Sequence, residues 1–173
     1  QDILKMIKKI IFSSGGTGGH IFPAINLMKY FSNKGYEVLL ITDIRGNIFL
    51  KDHTQFKSSI INTDTTSNKN FFRKIISLII IFFSIIKSIL ILKKEKPDLI
   101  IGFGGYVSFP IAFASRFYAI PLVIYENNLV LGRTNKNLLS LTKKILLGTK
   151  MPINFPETNS ITTIHTIVEL DLK

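Results

Sequence analysis

Short apolar runs alternate with longer stretches of helical periodicity along most of the chain. Six runs that are rich in β-branched residues and bounded by Gly, Pro or Asp predict strands at 7–13, 36–42, 58–62, 98–103, 122–125 and 144–147. Helices are predicted between them at 20–34, 69–94, 108–118 and 132–141. This order predicts an α/β fold with a doubly wound, Rossmann-like and mostly parallel sheet.

The loops after the first, fourth and fifth predicted strands have the most unusual compositions. They read GGTGGH, GFGGYVSFP and YENNLVLGRTNK. In doubly wound sheets, ligands bind at the carboxyl ends of the strands. We therefore expect these three loops to form the functional site.

Two of these loops are glycine-rich turns from a strand into a helix, Gly15 to Gly19 and Gly102 to Gly105. Glycine lets a ligand approach the backbone amides, and the N-terminus of the following helix favours an anion. We expect both loops to face one cleft that binds a phosphate or diphosphate; the alternative is that the glycines only permit tight turns. The first loop is neither a P-loop nor a dinucleotide fingerprint, since no Gly-Lys-Ser/Thr follows and G-x-G-x-x-G counted from Gly16 ends on Ile21.

His20 lies where the first predicted helix begins, beside the expected anion site. An imidazole there could act as a general base on a hydroxyl or donate a hydrogen bond to a phosphate. The alternative is a structural histidine. No histidines or acids share the spacing of metal ligands, and the chain has no cysteine.

The charge and one long apolar segment point to an anionic surface. The formal net charge is +11, which favours nucleic acid, lipid headgroups or a phosphorylated substrate. The interleaved basic and aromatic residues typical of nucleic-acid binding are missing, so we expect no nucleic acid partner.

Residues 75–92 carry a single charge, Lys87, and would rise about 27 Å as a helix, close to the thickness of a bilayer core.

This segment has three interpretations: a membrane span, simple core burial, and peripheral docking. Its polar residues fall within one sector of the predicted helix, which a spanning helix does not need. They are Asn70, Arg73, Ser77, Ser84, Lys87, Ser88 and Glu95. We favour docking, with one apolar face on the sheet and another at the membrane. The expected membrane contacts are Lys69, Arg73, Lys74, Ile75, Leu78, Ile79 and Phe82.

Three segments together resemble the bacterial MurG family: GGTGGHIFPAINLM, KPDLIIGFGGYVSFP, and IPLVIYENN followed by GRTNK. The resemblance implies a two-domain GT-B glycosyltransferase of peptidoglycan synthesis, with residues 6–156 as the N-terminal, acceptor-binding domain. The family transfers GlcNAc from UDP-GlcNAc to the MurNAc 4-hydroxyl of lipid I, an undecaprenyl-diphosphate-linked acceptor, and gives lipid II with inversion. It works at the cytoplasmic face of the inner membrane, as a peripheral protein without a cofactor or an essential metal.

The same resemblance implies roles for individual residues. His20 matches the histidine that serves as the base or contacts phosphate. The implied donor and lipid-diphosphate contacts are Gly15, Gly16, Thr17, Gly18, Gly19, Gly104, Gly105, Tyr106, Ser108, Glu126 and Asn128. One position departs from the family, which usually reads HEQN where this chain has Tyr125 to Asn128. Because an unperturbed phenol has a pKa of about 10, Tyr125 is not expected to be a base at neutral pH.

Residues 157–173 do not resemble the family. After NFPE the family continues with a strand and a G-N-P-x-R turn into the donor domain, and neither the Gly nor the Arg is found here. We expect a divergent or truncated tail, an absent donor domain and no activity of the chain alone, with a divergent terminal strand as the alternative. Two other functions stay open, a non-catalytic lipid-diphosphate-binding module and an unrelated α/β nucleotide-binding enzyme.

Overall fold

The structure is a computed structural model, and it describes residues 7–67, 69–142, 144–148, 152–155 and 162–165. These residues form a seven-stranded sheet in the order β3-β2-β1-β4-β5-β6-β7, with every neighbouring pair parallel. The strands are β1 Lys9–Ser13, β2 Glu37–Thr42, β3 Lys57–Ile60, β4 Leu99–Gly102, β5 Leu122–Glu126, β6 Lys144–Leu147 and β7 Thr162–His165. The predicted doubly wound sheet and its six strands are confirmed. The seventh strand, β7, lies within residues 157–173. A terminal strand there was the alternative to the expected divergent or truncated tail.

The described residues also form five α-helices. They are α1 Gly18–Asn33, α2 Ile44–Ile48, α3 Phe71–Glu95, α4 Ser108–Ser115 and α5 Arg133–Leu138. Turns of 3-10 helix, Arg116–Tyr118 and Leu139–Leu141, extend α4 and α5. The four predicted helices are confirmed. The short helix α2 was not predicted; it is a single turn whose N-cap Asp43 accepts a hydrogen bond from the Gly46 amide at 2.8 Å.

The apolar strands are buried on both faces of the sheet. Along β1, Ile10 and Phe12 pack against α1 on one face, while Ile11 packs on the other face in the cluster that includes residues of α4. All three side chains have no exposed surface. This two-sided burial explains why the strands read as continuous apolar runs instead of alternating patterns.

The centre of the sheet contains a topological switch point. β1 and β4 are neighbours, and the helices that follow them, α1 and α4, pack in clusters on opposite faces of the sheet. Between two such strands a crevice opens at the carboxyl edge, and ligands of doubly wound folds bind there. The two glycine-rich loops lie at this position.

The helix α3 packs differently from our expectation. Its fully buried positions are three serines, Ser77, Ser84 and Ser88, together with Leu92 near its C-terminal end. The expectation of an apolar face on the sheet was therefore wrong for most of the helix. Each serine hydroxyl lies 2.7–2.8 Å from the carbonyl oxygen four residues earlier, which satisfies it inside the protein.

Candidate functional site

The two glycine-rich loops contact each other directly. The Gly15 amide donates a hydrogen bond to the Gly104 carbonyl at 3.2 Å. Gly104 and Gly105 have positive φ angles of 88° and 73°, and a Cβ added to Gly105 would lie 2.7 Å from the Gly15 Cα. Only glycine fits this contact, so the glycines hold two loops together as well as permitting the turns.

Both loops face one cleft with a cavity volume of about 250 Å³, as predicted. Seven of the residues predicted to bind substrate or act in catalysis contribute to its lining. They are Gly15, Gly16, Thr17, His20, Gly104, Gly105 and Tyr106. The remaining lining residues are Arg45, Gly132, Arg133, Thr134 and Asn135.

The cleft is suited to an anion. Within the described part of the chain, its lining contains two arginines and no carboxylate. The N-terminal turn of α1 has no side-chain cap and no acidic residue, so its first amides are available to a ligand. Arg45 is held by Asp43, with the Nη2 and Oδ2 atoms 2.8 Å apart, whereas Arg133 is exposed and has no acidic partner among the described residues.

His20 is positioned by the residue that begins its helix. Its Nδ1 atom lies 2.7 Å from the Oγ1 atom of Thr17, the N-cap of α1. The opposite edge of the ring faces Gly104, where an added Cβ would lie 3.2 Å from Nε2. Burial lowers the pKa of His20 below its ordinary value, although Glu126 opposes this shift. The imidazole is therefore neutral at pH 7 and able to accept a proton.

Glu126 is a buried carboxylate that organises the third loop. Its Oε1 atom accepts hydrogen bonds from the backbone and side-chain amides of Asn128 at 2.9 and 2.8 Å. Its Oε2 atom accepts from the Gly132 amide and from Asn135 Nδ2, both at 3.0 Å. With four N–H donors on it, Glu126 fixes the loop and does not line the cleft.

Asn135 brings an unsatisfied acceptor into the cleft. The side chain is 1% exposed, and its Nδ2 atom donates to the Tyr125 carbonyl and to Glu126. Its Oδ1 atom is buried without a hydrogen-bond partner, and it would lie 3.4 Å from a Cβ on Gly104. Buried acceptors are normally paired, so this oxygen is available to a donor on a ligand.

Besides Glu126, four other predicted residues are not part of the cleft lining. Gly18 and Gly19 form the first turn of α1, and a Cβ on Gly19 would meet nothing within 4 Å. Ser108 is buried, with its hydroxyl 2.9 Å from the Ser13 carbonyl and 2.8 Å from the Gly104 carbonyl, so it ties the loop to β1. Asn128 is exposed beyond the cleft.

Tyr125 lines a separate hollow beside α1, whereas His20 lines the cleft. The Tyr125 ring is tilted by 36° against Phe103, with the ring centroids 4.9 Å apart. Burial raises the pKa of the Tyr125 phenol above its ordinary value, and Glu126 adds to the shift. The phenol therefore stays protonated at neutral pH.

Of the lining residues outside the glycine-rich loops, Arg45 was not predicted, whereas Gly132, Arg133, Thr134 and Asn135 lie in the third loop that was expected at the site. Arg45 follows β2, which pairs with β1, so the carboxyl edge of the sheet brings it to Gly16. Arg133, Thr134 and Asn135 belong to the GRTNK segment of the third loop, but none of the three was predicted as a substrate contact. The available signal was sheet order, since loops that follow neighbouring strands share one edge.

The outer surface of α3 is strongly apolar. Simple core burial is wrong, because ten large apolar side chains of this helix are exposed: Phe71, Phe72, Ile75, Ile76, Leu78, Ile79, Phe82, Phe83, Ile86 and Leu90. By length and composition, α3 is the one helix among the described residues that could cross a membrane. Arg73 and Lys74 are exposed beside these side chains, whereas Lys69 is half-buried and paired with Asp64 at 2.5 Å.

Comparisons with known proteins agree with this geometry. The profile of the glycosyltransferase family 28 N-terminal domain matches residues 10–147. The UDP-N-acetylglucosamine–N-acetylmuramyl-(pentapeptide) pyrophosphoryl-undecaprenol N-acetylglucosamine transferase of Rickettsia rickettsii (strain Sheila Smith) is 36% identical over 151 residues, which are 87% of this chain and 39% of that protein. The chain thus spans about two fifths of the length of the curated relatives it matches.

Solved structures show the same similarity. The crystal structure of Acinetobacter baumannii MurG superposes with a TM-score of 0.77 and 29% identity, over 92% of this chain and 45% of that one. Staphylococcus aureus MnaA in complex with UDP superposes with a TM-score of 0.61 at 18% identity, over 83% of this chain and 38% of that one, which shows the fold alone. The resemblance to the MurG family is confirmed, and an unrelated α/β enzyme is excluded. The chain belongs to the family of glycosyltransferase family 28 N-terminal domains.

Proposed function

We propose that residues 6–156 are the acceptor-binding domain of a hexosyltransferase of peptidoglycan synthesis. It transfers GlcNAc from UDP-GlcNAc to the MurNAc 4-hydroxyl of lipid I, the undecaprenyl-diphosphate-linked acceptor. The observation that carries the proposal is the cleft at the β1–β4 switch point, which combines two glycine loops and two arginines with no carboxylate. Its support is the 36% identity to a protein named for this transfer.

The cleft would hold the diphosphate of the acceptor. The uncapped first turn of α1 offers backbone amides, and the Gly104–Gly105 turn brings a second backbone to the same place. Arg133 has no acidic partner among the residues whose contacts are described, so a phosphate oxygen can take its guanidinium without breaking an ion pair. Arginine suits this role because its planar donors match phosphate oxygens.

His20 would act on the hydroxyl of the acceptor. In this proposal the Nε2 atom takes the proton of the 4-hydroxyl, the O4 atom bonds to the anomeric carbon of GlcNAc, and the bond from that carbon to the UDP oxygen breaks. Attack from the face opposite to UDP inverts the anomeric centre. Burial keeps the ring neutral, and in the tautomer whose Nδ1–H donates to the Thr17 hydroxyl, Nε2 is the nitrogen that accepts the proton. A contact between His20 and a phosphate uses the same nitrogen.

The donor needs contacts beyond this cleft. We propose that the part of the relatives beyond the matched region binds UDP-GlcNAc, because the chain covers only 39% of the Rickettsia rickettsii transferase. The exposed edge formed by Thr17, Gly18 and Gly19, together with Asn128, would face the donor sugar. Glu126 would act by holding Asn128 in place.

The exposed face of α3 would dock on the cytoplasmic surface of the inner membrane. The docking face is the N-terminal half of the helix, with Phe71, Phe72, Ile75, Ile76, Leu78, Ile79, Phe82 and Phe83 exposed. This half lies at the same sheet edge as the cleft, because α3 follows the carboxyl end of β3. Arg73 and Lys74 would meet anionic headgroups. Such a surface gives peripheral binding and places the cleft next to a lipid-linked acceptor.

Calorimetric titration with a water-soluble lipid I analogue, which carries a short prenyl chain, tests the proposal. We expect saturable binding that weakens with salt, and Arg133→Gln should weaken it about tenfold, as the loss of a charge-assisted hydrogen bond does. Arg116→Gln, which removes an exposed arginine at the end of α4, is the matched control and should bind as the wild type does. Absence of binding in the wild type, or equal losses in the two variants, would contradict the proposal.

A further inference from the structure

A second compartment adjoins the cleft. It has a cavity volume of about 290 Å³ and lies between the loop after β3 and the helices α3, α4 and α5. Tyr106, Arg133 and Thr134 line both spaces and form their shared wall. A ligand bound in the cleft can therefore extend past these three residues into the second compartment.

The two sides of the compartment differ in chemistry. Leu78 and Ile81 of α3 and Phe109 of α4 form an apolar side, and the loop 63–67 forms a side of hydroxyl groups. The single acid in the lining, Asp64, is neutralised: its Oδ2 atom lies 2.5 Å from Lys69 Nζ and 2.9 Å from Ser77 Oγ. The hydrogen bond from Lys69, together with other donors, lowers the pKa of Asp64, so the pair stays ionised. The uncompensated charge of the compartment is then Arg133, at the side of the cleft.

The apolar side of the compartment continues into the docking face of α3. Leu78 belongs to both: it lines the compartment and is 57% exposed on the outer surface. Its neighbours one helical turn away, Ile75 and Phe82, are exposed on the same helix. An apolar path therefore runs from the shared wall with the cleft, along Ile81 and Leu78, to the proposed membrane surface.

We propose that this compartment binds the first isoprene units of the polyprenyl chain, next to the diphosphate. The inference rests on the proposed function, because it takes the diphosphate to lie in the cleft. The bound group must be apolar along one side and must be attached to an anion at the Arg133 end. The rest of the ligand must extend out of the compartment past Leu78, toward the membrane. A polyprenyl diphosphate meets all three conditions. The peptide of the acceptor satisfies the first two conditions only in part and does not satisfy the third. Its charged groups would have to leave water to follow the apolar path.

Titrations without detergent or vesicles separate the compartment from membrane binding. The probes are inorganic diphosphate and geranyl diphosphate, which share the anion and differ in ten carbons of isoprenoid. We expect the wild type to bind geranyl diphosphate at least about tenfold more tightly, since burial of two methylene groups suffices for that ratio. Ile81→Gln should remove most of this preference and leave the affinity for inorganic diphosphate unchanged. Ile86→Gln, the same change on the same helix outside the compartment, should retain the preference.

A second variant guards against misfolding of the first. Ile81→Phe keeps the side chain apolar but fills the space, so it should also lose the preference for the prenyl group. Equal affinity of the wild type for the two probes would overturn the proposal that the compartment binds isoprene units. It would leave the proposed diphosphate site unaffected. The proposal is also wrong if both Ile81 variants retain the preference for geranyl diphosphate. It is equally wrong if Ile81→Phe binds a lipid-free muramoyl-peptide diphosphate more weakly than the wild type does. Binding of neither probe would refute the diphosphate site itself, and the inference with it.

Discussion

The Nδ1 atom of His20 lies 2.7 Å from the Oγ1 atom of Thr17, which occupies the N-cap position of the same helix without capping it through its side chain. This contact leaves Nε2 as the ring nitrogen for a ligand. If Nε2 is to accept a proton, Nδ1 must carry the ring hydrogen and donate a hydrogen bond to the Thr17 hydroxyl oxygen. The GGTGGH segment thus supplies an uncapped helix N-terminus and an oriented imidazole within six residues.

The lowered pKa of His20 predicts a change in stability with pH. The unfolded state takes up a proton as the pH falls through 6.5, the ordinary pKa, while folded His20 stays neutral to a lower pH. In that window the unfolded state binds more protons, so the free energy of unfolding decreases as the pH falls. Urea unfolding at pH 7.5 and 5.5 should show a larger decrease for the wild type than for His20→Gln.

The control for this measurement is Asn33→Gln, an exposed change at the end of α1 that alters no titratable group. It should retain the pH dependence of the wild type. A constant difference in stability between the wild type and His20→Gln at both pH values would show that burial of His20 does not favour its neutral form.

Two glycines predict opposite consequences of the same substitution. Gly19→Ala adds a methyl group where nothing lies within 4 Å, in a helix that alanine favours over glycine by about 1 kcal/mol. It should leave stability equal or higher, and weaken binding of the acceptor analogue if ligands approach this turn closely. Gly105→Ala forces a Cβ to 2.7 Å from Gly15 at a positive φ, and should destabilise the chain by about 1–3 kcal/mol. Thermal unfolding and titration of both variants check this contrast.

The buried Glu126 predicts a large effect of a small chemical change. In the wild type, both carboxylate oxygens of Glu126 accept hydrogen bonds from N–H groups. Glu126→Gln replaces one of these oxygens by an NH2 group, which cannot accept, so at least one buried hydrogen bond is lost. We expect a destabilisation of about 1–3 kcal/mol in urea unfolding. Glu37→Gln, which removes an ion pair with Lys9 at an exposed carboxylate, is the matched control and should cost about 0–1 kcal/mol. Equal costs would mean that Glu126 does not organise the loop.

The docking face predicts binding to anionic vesicles. Arg73→Gln or Lys74→Gln should each lower the affinity about fivefold, the contribution of one basic residue near such a surface. Phe82→Ser should lower it through lost burial of an exposed aromatic side chain, with little dependence on salt. Lys34→Gln, at the far end of α1 on the opposite face of the sheet, has the same change in charge and should bind normally. Vesicle sedimentation at low and high salt measures all four.

Much of the fold follows from local sequence, because each buried strand is a short apolar run that ends at Gly, Asp or a polar loop. The site was predictable as far as it is local: the two glycine loops and His20 lie where their strands end. Arg45 was not predicted, because its position depends on which strands are neighbours, and Asn135 was predicted only as part of the third loop. The free oxygen of Asn135 depends further on Glu126 and the Tyr125 carbonyl, which occupy its amide nitrogen.

The orientation of α3 is the instructive difference. The sequence places its polar residues in one sector, but the usual rule turns the apolar side of a helix toward the protein. Here Ser77, Ser84 and Ser88 face inward, and their hydroxyls are satisfied by the carbonyls of the preceding turn. A serine stripe can be buried at little cost in this way, which leaves the apolar side free for a surface that periodicity alone does not reveal.

The most direct test is amide chemical-shift mapping of the 15N-labelled chain with the water-soluble lipid I analogue. We expect saturable shifts at Gly15–Gly19 and Gly104–Tyr106, with weaker shifts at Arg133–Asn135. In Arg133→Gln these shifts should be clearly smaller at the same ligand concentration. Shifts confined to other surfaces, or no saturable shift at the two glycine loops, would contradict the claim that this cleft binds the diphosphate of the acceptor.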